Sequence, residues 1–90
     1  MLYLAAFHLT QTEEHYQAFY KAFDQFEEIL ELFEGCILID TVFTAAAIRL
    51  RLGPCLHKTD RLIVTRLHPA STSGILPCHT DWLRRKYHTR

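Results

Sequence analysis

Ninety residues, 49% of them hydrophobic and 22% charged, suffice for one domain with a core of its own and leave no room for a second. Three Gly and three Pro against 12% aromatics exclude a disordered or collagen-like chain. The formal net charge is zero, but residues 1–47 hold eight acids and one base (net −7) while residues 48–90 hold nine bases and two acids (net +7). Halves of opposite sign attract within one fold and between copies of it.

The run Leu2 to Phe7 is too short to cross a membrane and has no basic front of the kind a secretory signal needs, so no membrane association is expected. It continues to Leu9 with apolar residues on both alternations, as in a strand covered on both faces. Tyr3, Ala5, Phe7 and Leu9 share one face; Leu2, Leu4, Ala6 and His8 share the other. Thr10 followed by Glu13 reads as a capping box, with Thr12 as a competing cap. Tyr16, Phe19, Tyr20, Phe23 and Phe26 recur at three and four, which predicts an amphipathic helix over 13–25 whose aromatic stripe is core.

Residues 27–34 are open to two readings. Helix propensity favours continuation of the first helix, whereas Gly35 and the β-rich run from Cys36 to Thr41 favour a hairpin, 28–33 against 36–41. Thr44 caps a second helix from Ala45 to Leu52, with Ala45, Ile48 and Leu52 on one face, Leu50 pointing away and Gly53-Pro54 stopping it. A strand from Asp60 to Leu67 follows the polar turn His57 to Asp60. With the hairpin in place, the order is that of an α+β ferredoxin-like βαββαβ sandwich, an antiparallel sheet with two helices on one face and a C-terminal basic tail, 78–90. The whole chain, 1–90, is read as one such domain.

The segments Tyr3-Leu4-Ala5-Ala6-Phe7-His8-Leu9, Tyr16 to Phe23, Ile37-Leu38-Ile39-Asp40-Thr41, Ala45 to Leu52, Asp60 to Leu67 and Asp81-Trp82-Leu83 resemble the SinR-like family. That family is similar to the small nuclease-like adaptation subunit of CRISPR systems and to VapD-type ribonucleases. The resemblance spans nearly the whole chain, rests mostly on hydrophobic pattern, and implies the hairpin, a ferredoxin-like fold and a homodimer formed through the sheets. It also implies a CRISPR or mobile-element setting and, in active relatives, an aspartate at the end of the first strand that joins its twin around a divalent metal. Here that position is His8. A hard cation such as Mg²⁺ takes oxygen ligands, so the imidazole does not supply that chemistry.

Other residues bear on function. Paired His8 side chains are candidates for a metal-free acid/base pair in RNA cleavage, against the commoner role of an interface hydrogen bond. Cys55, His57, Cys78 and His79 offer zinc-ligand types at spacings unlike a knuckle, and three cysteines without a redox pair point to a reduced, cytoplasmic protein. No metal or other cofactor is expected. Arg84, Arg85 and Lys86, beside Trp82, form the candidate nucleic-acid contact, with Arg49 and Arg51 as further bases; the alternative is a solvated terminus. Leu2, Leu4, Ala6 and His8 form the candidate dimer interface, because a ferredoxin-like sheet has helices on one side only. The leading expectation is a non-catalytic homodimer that binds nucleic acid or a defence-system protein. A divergent ribonuclease using His8 is the alternative. A phage-borne, anti-CRISPR-like inhibitor that docks through the acidic stretch 24–34 is the third reading.

Overall fold

A computed structural model describes residues 1–68 of the chain. Strands β1 (Leu2–His8), β2 (Glu28–Phe33), β3 (Cys36–Asp40) and β4 (Arg61–Leu67) form one antiparallel sheet in the order β2-β3-β1-β4. The apolar β1 lies in the middle, Leu4 opposite Leu38 of β3 and Thr65 of β4. Helices α1 (Gln17–Ala22) and α2 (Ala45–Leu52) complete the α+β, ferredoxin-like arrangement.

Residues 28–33 and 36–40 pair as a hairpin, which resolves the open stretch in favour of strands. Its turn depends on Gly35, whose φ is +87°. A Cβ at that position would come within 2.7 Å of the Phe7 carbonyl oxygen, and the Phe7 N–H donates to the Gly35 carbonyl at 2.9 Å. Both the backbone angle and the close approach demand the missing side chain.

The first helical segment differs from the single helix expected over 13–25. It is a 3₁₀ turn (Glu13–Tyr16), then α1, then a second 3₁₀ turn (Phe23–Gln25). The capping box does not form: Thr12 holds the cap position without a side-chain capping bond, and Thr10 spends its hydroxyl elsewhere. The Tyr16 hydroxyl reaches back to accept from the Thr10 and Gln11 N–H groups at 3.2 and 2.9 Å, which ties the first turn to the preceding loop. Thr44 caps α2 as expected, accepting from the Ala47 N–H at 3.1 Å, and Leu50 points to solvent.

The main core lies between the sheet and the helices. Tyr3, Ala5, Ile37 and Ile39 from the sheet meet Phe19, Phe23, Phe26, Ile48 and Leu52, with Phe7 and Leu9 packed against them. Phe7 and Phe19 meet edge to face, centroids 4.9 Å apart, and Phe19 meets Phe23 in the same way at 5.3 Å. The residues expected to face the helices from β1 do so. A smaller cluster occupies the opposite face, with Leu2 and Leu38 buried and Leu4, Leu30, Leu32 and Leu67 packed around them.

Candidate functional site

Three regions carry the residues that sequence reasoning singled out, or that it passed over. The first is the second face of the sheet. Because strand side chains alternate, Leu2, Leu4, Ala6 and His8 of β1 stand beside Leu38 of β3 and Ile63, Thr65 and Leu67 of β4. Burial on this face is graded: Leu2 and Leu38 are 1% and 3% exposed, Leu4 and Ala6 are half-buried, and Ile63 is 66% exposed. Leu2 is already covered within the chain. The partly exposed apolar side chains on this face are therefore Leu4, Ala6, Leu30, Leu32 and Leu67, and Ile63, not among the residues expected to line it, is far more open than these. The Cys36 thiol, on the same face, is pushed up in pKa by burial, which keeps it protonated and unreactive.

His8 ends β1 in the open, cross-strand from Arg61. Among the described residues its imidazole makes no hydrogen bond, so no neighbour fixes its tautomer or its direction. Arg51 is committed within the fold: it donates to the Gln25 side-chain oxygen at 2.8 Å and its guanidinium lies 4.2 Å from the Phe43 ring centroid. Arg49 is exposed on α2. Arg84, Arg85 and Lys86 lie outside the described residues, as do Cys78 and His79. No three His, Cys, Asp or Glu side chains converge as a metal site among the described residues. In the acidic region, burial together with Glu31, Glu34 and Glu13 pushes the Tyr20 hydroxyl upward in pKa.

The third region is the polar cluster where the end of β1 meets the turn before β4. Asp60 is its hub. One carboxylate oxygen accepts from the Thr10 N–H, the Thr10 hydroxyl and the Tyr16 hydroxyl, each at 2.8 Å; the other accepts from the His57 N–H at 2.8 Å. Burial pushes this carboxyl upward, but the donors from Thr10, Tyr16 and His57 outweigh it and hold the pKa at about 2. A carboxylate so fully occupied is a poor proton acceptor for any substrate; its work is to hold the turn. His57 joins the cluster through its ring, Nδ1 lying 2.9 Å from the Thr59 hydroxyl, and its imidazole is exposed.

Comparison with family models, curated proteins and solved structures finds no match to this chain. No helix of the described residues is long and apolar enough to cross a membrane.

Proposed function

We propose that the chain is a non-catalytic binding module that works as a homodimer and contacts nucleic acid. The observation that carries the reading is the second sheet face, where Ile63 is 66% exposed beside half-buried Leu4 and Ala6. Both helices cover the other face, and an apolar strip next to solvent is best covered by its own two-fold copy. The exposed bases Arg49, Lys58, Arg61 and Arg66 give such a dimer phosphate-binding charge. Among the described residues His8 has no hydrogen-bond partner of the kind that orients an acid/base imidazole, which favours binding over cleavage. The resemblance to SinR-like proteins adds a defence-system or mobile-element setting to the proposal.

Light scattering tests the dimer. The wild-type protein runs as a dimer, and Leu4→Glu yields a folded monomer because it places two carboxylates in a desolvated contact. Phe7→Glu, on the helix side, loses the circular dichroism signal of the folded state instead. A wild-type monomer at high micromolar concentration removes the reading, as does a Leu4→Glu protein that remains dimeric.

A further inference from the structure

Two backbone bonds fix the hydrogen-bonding direction of every strand residue. The Phe7 N–H donates to the Gly35 carbonyl and the Thr41 N–H to the Met1 carbonyl, both along the line of the β1–β3 register. Odd-numbered residues of β1 therefore turn their backbone groups toward β3, and even-numbered ones toward β4. Carried through the registers, Ile37 and Ile39 answer β1, while Leu38 and Asp40 turn to β2 and meet Leu30 and Glu28. The N–H and C=O groups of Ile29 and Glu31 are left pointing out of the sheet. On the other side Ile63, Thr65 and Leu67 answer β1, so the backbone groups of Val64 and Arg66 point out. Among the described residues β2 and β4 are the two edges, and they run antiparallel to each other.

An open edge is a template for another strand, and the charges on these two decide which. β2 carries Glu28 and Glu31; β4 carries Arg61 and Arg66. Pairing β2 with a copy of itself gathers the acids of both copies along one seam, and pairing β4 with itself gathers the bases. Pairing β2 with β4 of another copy joins acid to base. One antiparallel register satisfies both faces of the sheet. It sets Glu31 opposite Arg66, both exposed and both with outward backbone groups, on the side of Ile37 and Tyr3 that faces the helices. It sets Leu30 opposite Leu67, both half-buried members of the leucine cluster, on the second face. We propose that the β2 edge of one copy docks on the β4 edge of another in this register, a head-to-tail contact that extends the sheet from copy to copy. Such a contact has no two-fold axis and leaves one edge free at each end. It is distinct from the face-to-face dimer. A single strand pair buries little surface, so the edge contact is weak and adds to that dimer without replacing it.

Sedimentation velocity at high micromolar concentration reads the contact. In about 0.01 M salt, where the Debye length is ~30 Å, wild-type protein forms species larger than the dimer; about 1 M salt, where it is ~3 Å, removes them. Glu31→Lys and Arg66→Glu, each checked for folding by circular dichroism, stop at the dimer in low salt. An equimolar mixture of the two regains the larger species, because Arg66 of the first meets Glu31 of the second. A chain carrying both changes regains them alone. Hydrogen exchange gives the register: in low salt the amides of Glu31 and Arg66 slow in the wild-type protein and in neither single variant. Wild-type protein with nothing beyond the dimer in low salt overturns the edge contact and leaves the face dimer standing. Larger species that survive Glu31→Lys, or a mixture that fails to restore them, overturn it as well.

Discussion

The two faces of β1 show two ways of covering one strand. Toward the helices, Tyr3, Ala5 and Phe7 meet a network of rings whose edge-to-face contacts fix both distance and angle. Away from them, Leu2, Leu4 and Ala6 join a patch of leucines with no aromatic partner among the cluster residues, running out at exposed Ile63 and His8. The first face is directional and complete. The second is apolar but unfinished toward β4, and aliphatic burial of this sort accepts whatever apolar surface fits it. The same strand thus anchors the fold with one alternation and, in the proposed reading, serves recognition with the other.

The comparison breaks most sharply at Phe19. This ring is fully buried and touches Phe7, Tyr16, Tyr20 and Phe23 edge to face. Phe19→Ala removes it from the directional face and costs about 3–5 kcal/mol, a large share of the stability of so small a domain, read as a lower urea midpoint. A loss under about 1 kcal/mol would mean that the ring network is not what closes this face.

A smaller effect is expected at Asp60, which fastens the end of β1 to the turn before β4. Its carboxyl pKa is held at about 2 in the fold against 3.8 for the free group, so the folded state favours the ionised form. The stabilisation is complete above the unfolded pKa of 3.8 and is lost as pH falls toward about 2. Asp60→Asn lowers the melting temperature at neutral pH and flattens the acid limb between those two values. Parallel acid limbs for the two proteins would mean that the hub contributes nothing to pH dependence.

Local pattern carried much of this architecture. Alternation in Leu2 to Leu9 assigned the faces of β1, the Thr44 cap and the Ala45, Ile48, Leu52 spacing located α2, and Gly35 marked the hairpin turn. What local pattern could not show was a partnership between distant residues. Thr10 read as a helix cap because Glu13 follows it, yet its hydroxyl serves Asp60, 50 residues away. That diversion, with the pull of Tyr16 on the same carboxylate, accompanies the division of the expected helix into three short segments. The same limit explains the two histidines. His8 stood out because of where it sits on a strand, whereas His57 read as one polar residue in a turn. Its ring meets Thr59 two residues on, and the Thr59 hydroxyl in turn meets Thr10 from the far end of the described chain.

The central claim, that the second face of β1 is where a copy of the chain docks, is met most directly by isotope-filtered NOE spectroscopy. The sample mixes methyl-labelled and unlabelled protein at high micromolar concentration, so that only contacts between copies are seen. Intermolecular NOEs are predicted to the methyl groups of Leu4, Ala6 and Ile63, with none to Ile48 or Leu52 beneath the helices. Intermolecular NOEs confined to the helix side, or none at all from a sample that is dimeric by light scattering, would contradict it.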